Sequence, residues 1–390
     1  MSLPERWRQW AAQPLWSLGF RPFFLTGAAF ACIALMGWGL WLHGLWNGRQ
    51  PLGGMLAWHR HEMLFGFAVA IIAGFLLTAV ANWTGRPGLS RTPLILLWLA
   101  WLLARLAWWL PLPAPLFLVL QVAFMPALAG VVGYELWRAG KRDNYPIVVI
   151  LGLLALFQGL ALWGLLGHQE LWQRRGELGA LWLVATLMTV IGGRVIPFFI
   201  QRGLNLPPTP AGSPWPTRLL LVGSLLAALS MALGGGDGPQ RWLAPLFVLL
   251  AALHLWRLWR WHHPGLWRLP LLWSLYLAYL WLALATLGMA LWHLGWPLQQ
   301  SLVTHALAVG GLGGLVLAMV ARVSLGHSGR PLQVSRAMAG GFALLFLAAV
   351  CRVLLVPFNS LGLGLSALLA ALAFALFVAG YGRILLSPRL

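Results

Sequence analysis

Charge is scarce in this sequence: 8% of its 390 residues are charged, while 61% are hydrophobic. No soluble fold hides that much apolar surface, so the chain reads as an all-α polytopic membrane protein. Acidic residues number only seven, and lysine occurs once, at Lys141. The two cysteines, Cys32 and Cys351, lie inside apolar runs. That placement points away from a disulfide framework and from a thiolate zinc site. No Walker sequence, GxSxG or CxxCH occurs. Their absence argues against a nucleotide-driven pump and a c-type cytochrome. Residues 1–19 lack the apolar core and small-residue cleavage site of a signal peptide. They are expected to remain as a cytoplasmic interfacial segment, ahead of one transmembrane domain over 20–390.

What is plentiful is arginine and tryptophan. The net charge of +19 sits in short loops between apolar runs. That is the topology signal of a membrane protein rather than a binding stripe, so no nucleic-acid partner is expected. With about 20 apolar residues per crossing, twelve spans are predicted. They fall near 20–43, 59–82, 93–110, 113–137, 145–167, 177–200, 217–234, 240–259, 269–292, 300–323, 337–356 and 361–385. The loops after even-numbered spans carry most of the arginines, among them Arg86, Arg91, Arg138, Arg257 and Arg330. The positive-inside rule then makes both termini cytoplasmic. Many of the 26 tryptophans suit the two interfacial belts.

The second span begins with Trp58-His59-Arg60-His61-Glu62 and closes on Asn82-Trp83-Thr84-Gly85-Arg86-Pro87; the tenth begins at His305 and closes on His327-Ser328-Gly329-Arg330-Pro331. His61 to Gly85 is 24 residues, and so is His305 to Gly329. The sixth span can be laid on both, aligning Glu177 with the two histidines and Arg194 with Arg322. Twelve spans would thus divide into three pseudo-repeats of four.

A histidine at one end of a membrane helix can ligate a haem held edge-on between helices. His61 and His305 start equivalent spans at equal depth and form the natural pair. Gly66, Gly310, Gly311, Gly313 and Gly314 would let a flat ring approach. The competing reading is interfacial histidines satisfied by water, with glycines serving ordinary helix packing. Side chains two positions apart on a helix point about 200° away from each other. If both are ligands, His59 therefore serves a different site from His61, a second haem or a copper. Copper needs about three imidazoles, for which His43, His168 and His293 are nearby candidates, although each reads more simply as a solvent-facing residue. Glu62 is the candidate proton donor, with helix capping as the cheaper reading. Arg21, Arg194 and Arg322 are candidate anchors for the acidic groups of a cofactor, and Arg21 also suits a snorkelling role. His254, His262 and His263 read as surface residues. His327 lies at an inner end, far from His61.

Six stretches together resemble the NnrS family: GFRPFF (19–24), WHRHEMLFGF (58–67), NWTGRP (82–87), GGRVIP (192–197), HALAVGGLGG (305–314) and ARVSLGHSGRP (321–331). The resemblance implies a bacterial inner-membrane protein containing haem and copper and linked to denitrification and nitric oxide resistance. It also implies that His59, His61, His305 and His327 are the metal-ligating motif histidines. One departure stands out: Tyr276 occupies a position where that pattern leads us to expect histidine. The architecture is similar, more weakly, to the main subunit of haem–copper oxidases and nitric oxide reductases. The expected function is a haem b protein of nitric oxide metabolism and nitrosative stress tolerance, with nitric oxide as ligand or substrate and reduction to nitrous oxide as the candidate reaction. The alternative is a non-catalytic sensor, metal-delivery protein or transporter.

Overall fold

A computed structural model describes residues 3–46, 48–207 and 214–390. Among them there is no strand. Thirteen helices carry the labels used below, in chain order: α1 Leu3–Ala11, α2 Phe20–Leu42, α3 Gly54–Thr84, α4 Arg91–Ala107, α5 Ala114–Arg138, α6 Arg142–Leu166, α7 Glu170–Gly203, α8 Trp215–Gly235, α9 Arg241–Trp261, α10 Pro270–His293, α11 Gln300–His327, α12 Arg336–Leu355 and α13 Leu361–Leu386. Eleven of these are long and apolar enough to cross a membrane, so the chain is a multi-pass, all-helical membrane protein. The predicted segment at 93–110 is α4, a helix of 17 residues. The linker predicted over 201–217 falls partly outside the described residues.

Element ends differ from expectation where it matters most. The span expected to open at His59 begins at Gly54. His61 is therefore seven residues inside α3, about 10 Å along its axis, rather than at its mouth. α7 likewise begins seven residues before Glu177.

The chain forms two compact units: Met1–Gln173 with Val320–Leu332 and Phe374–Leu390, and Arg174–Met319 with Gln333–Ala373. In the first unit α2 packs on α3 through small residues. A Cβ on Gly74 would lie 2.9 Å from the Phe24 ring, and one on Gly27 2.9 Å from Ile71. Close approach of this kind is what drives helix association in lipid, where apolar burial supplies no preference. In the second unit α9 packs along α10, and Gly310 of α11 sits against Trp281 of α10, where a Cβ would lie 2.4 Å from the indole. Gly310 and, against Phe346, Gly314 therefore seat aromatic side chains of the protein itself.

α3 and α11 are the most enclosed spans, 83% and 89% buried against at most 56% for the others. They share a local plan. Each is α-helical up to its histidine, then makes a π-helical stretch, Glu62–Ala68 in α3 and Ala306–Gly313 in α11. Each is followed by a left-handed glycine, Gly85 (φ +67°) and Gly329 (φ +75°). π-Turns inside α-helices concentrate at functional sites, because the shifted ladder frees backbone carbonyls and widens the helix locally.

Candidate functional site

His61 is 1% exposed and lies in the first unit among Phe65, Trp108 and Glu62. Its Nδ1 is 3.0 Å from Glu62 Oε1. The same oxygen accepts the Trp108 indole N–H at 2.8 Å. The other oxygen of Glu62 forms an ion pair with Arg105 Nε. Arg105 also donates to Phe65 O (3.2 Å) and to Gln121 Oε1 (3.3 Å). Gln121 donates to Ala104 O at 2.7 Å, and Gln158 to Gln121 O at 3.0 Å. Trp101 donates to Gly66 O at 2.8 Å. Two carbonyls of the π-turn, Phe65 and Gly66, thus receive side-chain donors.

The partners of Nδ1 determine what Nε2 can do. Glu62, paired with Arg105, accepts a hydrogen bond from the Nδ1–H. Nε2 then carries the ring's lone pair, and it is buried with no hydrogen-bond partner. An imidazole with Nδ1–H on a carboxylate and a bare Nε2 is the arrangement of a metal-ligating histidine. Haem iron at Nε2 fits this donor.

His305, in the second unit, repeats the arrangement with a different acceptor. Its Nδ1 is 2.7 Å from Ser301 O. A carbonyl can only accept, so Nδ1 is protonated here too and Nε2 bears the lone pair. The Ser301 hydroxyl accepts from Arg352 at 2.7 Å. Arg352 Nη1 is buried without a hydrogen bond. In the sequence Arg352 shows only as an arginine late in an apolar span.

His59 faces a different neighbour, as the helical periodicity requires. Its ring stacks on Trp38 of α2, with centroids 4.2 Å apart and planes 10° apart. Arg194 lies on the exposed face of α7. Arg322 is buried in α11, seventeen residues past His305 and about 25 Å further along the helix. His327 lies against Phe20, with ring centroids 5.7 Å apart. Among the described residues no group of three or more His, Cys, Asp or Glu gathers to hold a metal ion. A three-imidazole copper centre thus lacks its donor set among those residues.

Two histidines expected at the surface are buried. His293 has no exposed surface; its Nδ1 accepts the Gln240 N–H at 3.1 Å. Nε2 must then carry the proton, so this ring presents no lone pair to a metal. His254, 2% exposed, lies 2.9 Å through Nδ1 from the Tyr279 hydroxyl, which also accepts from Arg257 at 3.0 Å. Arg257 further donates to Thr189 O and the Thr217 hydroxyl. The spacings His254/Arg257 and Tyr276/Tyr279 put each pair on one helix face, which is the signal that marks this cluster in the sequence. His43 and His168 are exposed, as expected. Tyr276 donates to Leu258 O at 3.0 Å.

No curated protein matches the chain. The family described as NnrS protein matches residues 14–389, nearly the whole length, and the chain belongs to that family.

Proposed function

We propose that this NnrS-family membrane protein binds haem b through His61 and His305 and acts in nitric oxide metabolism. The observation that carries the proposal is the state of the two rings. Each has Nδ1 tied to an acceptor, and His61 keeps a buried Nε2 with no partner. Haem held there supplies an iron for electron transfer. Glu62 serves as an orienting carboxylate in this reading, since three donors already occupy it. Arg105 and Arg352 are the arginines beside the two histidines, and Arg352 suits an acidic group of the cofactor. His59 is the candidate for a separate nitric oxide site.

The same proposal takes the chain to cross a bacterial inner membrane twelve times with both ends cytoplasmic. Its 17-residue α4 is about 26 Å long, close to the apolar thickness of a bilayer. The matched π-turns and left-handed glycines of α3 and α11 support the pseudo-repeat. α3 and α11 run unbroken through their π-turns, which disfavours a transporter built on discontinuous helices.

The test is haem per protein in purified His61→Ala and His305→Ala. One shared haem predicts complete loss in either variant, and two haems predict half-loss in each. Spectra like those of the parent protein in both would overturn the assignment. Anaerobic nitric oxide consumption with an artificial reductant, faster than for free haem, then separates a reductase from a sensor or delivery protein.

A further inference from the structure

We propose that Arg21, Ser328 and Arg330 form a binding site for a small oxyanion, where the Gly19–Phe24 and Gly326–Pro331 motifs meet in the first unit. Arg21 is 1% exposed at the start of α2. Its Nη1 donates to the carbonyls of Leu385 (2.9 Å) and Ser387 (2.5 Å), while its Nε is buried with no partner. Ser328 is fully buried, and its hydroxyl also has no partner. Arg330 Nη1 is buried without one as well. The Leu390 N–H, donated to Ser328 O at 3.1 Å, folds the last residues against this turn.

The charges of Arg21 and Arg330 are close enough to interact. Among the described residues neither forms an ion pair with a carboxylate. Two guanidinium groups this near, one buried and one half-buried, repel each other. Arg21 loses hydration that the two carbonyls replace only in part, and Arg330 keeps a buried Nη1 with no partner. An anion relieves both costs at once. Guanidinium forks and a hydroxyl with unmet donors suit an oxyanion, whether a free ion or the phosphate of a lipid headgroup. A metal ion at the neighbouring His327 would instead face Arg389, whose charge acts on that ring. That field opposes a cation.

The test uses the purified full-length protein and compares Arg330→Gln and Ser328→Ala with the parent. Arg21→Gln is held back as a second variant, because it also unties the Leu385 and Ser387 carbonyls. Thermal stability is titrated with inorganic phosphate and with nitrite at constant ionic strength, using chloride as the reference. Native mass spectrometry reads retained anionic phospholipid. A free-ion site predicts a saturable stabilisation that Arg330→Gln weakens at least tenfold. A headgroup site predicts bound phospholipid in the parent and its loss in Arg330→Gln. The proposal is overturned if neither ion acts beyond chloride and no phospholipid is retained, or if a monodisperse Arg330→Gln behaves as the parent does.

Discussion

His61 and Glu62 are adjacent in the chain, and their side chains touch, Nδ1 to Oε1 at 3.0 Å. Consecutive residues on an α-helix point about 100° apart. The contact occurs where α3 passes from α-helical to π-helical winding. It makes the carboxylate the fixed reference for the ring, and Arg105 and Trp108 fix the carboxylate in turn.

Glu62→Gln keeps the size of the side chain but removes its charge, leaving Arg105 buried at 5% exposure without a counter-ion. Breaking a buried pair from one side costs about 3–5 kcal/mol. The double variant Glu62→Gln/Arg105→Met should recover much of that loss. Chemical or thermal unfolding of the purified variants measures both. Equal stability of Glu62→Gln and the parent would show that the pair contributes nothing.

Gly66 is the tightest point of this network. A Cβ there would lie 2.7 Å from Glu62 Oε2, 3.0 Å from the Phe30 ring and 3.2 Å from Arg105 Cδ. Overpacking of this kind costs about 1–3 kcal/mol. Gly130 of α5 is the control, since a Cβ there meets nothing within 4 Å. Alanine at Gly130 should stabilise by up to about 1 kcal/mol through helix propensity. A thermal midpoint that moves the same way in both variants would contradict the packing argument.

In the second unit, Tyr279→Phe removes the hydroxyl shared by His254 and Arg257. The His254 Nδ1 loses its partner in a buried place, at a cost of about 1–3 kcal/mol. Tyr276→Phe removes one bond to a backbone carbonyl and should cost no more than about 1.5 kcal/mol. The order of the two unfolding midpoints checks the assignment, and a reversed order would place the important hydroxyl at Tyr276.

The helices were legible because apolar length and arginine-bearing loops are strong local signals; observed spans begin and end within a few residues of the expected ones, except that α3 and α7 start well before them. The start of α3 was missed because Gly54–Trp58 is apolar but short, so His59 looked like the first residue of the crossing. The likeness of His61 and His305 was read from spacing, and their matching local geometry followed from no sequence rule, since π-turns have no simple signature. His254 and His293 were misplaced because nearby Trp and Arg residues resemble an interface. Only packing shows that His254 turns toward Tyr279 and His293 toward Phe247.

Gly85 directly follows α3 and Gly329 lies two residues past α11, and both adopt left-handed backbone, φ +67° and +75°. Alanine in that conformation costs about 1–2 kcal/mol at either site. The two differ in what a Cβ meets. Gly85 faces open space, whereas at Gly329 a Cβ would lie 2.6 Å from Leu390 O. Gly329→Ala must therefore also displace the segment that donates to Ser328 O. It should lower the unfolding midpoint more than Gly85→Ala does. Deleting Leu390 removes the obstructing atom, so in that background the two alanine substitutions should cost the same. If Gly329→Ala stays the more damaging variant after the deletion, its extra cost arises within the turn itself and the contact with Leu390 is incidental.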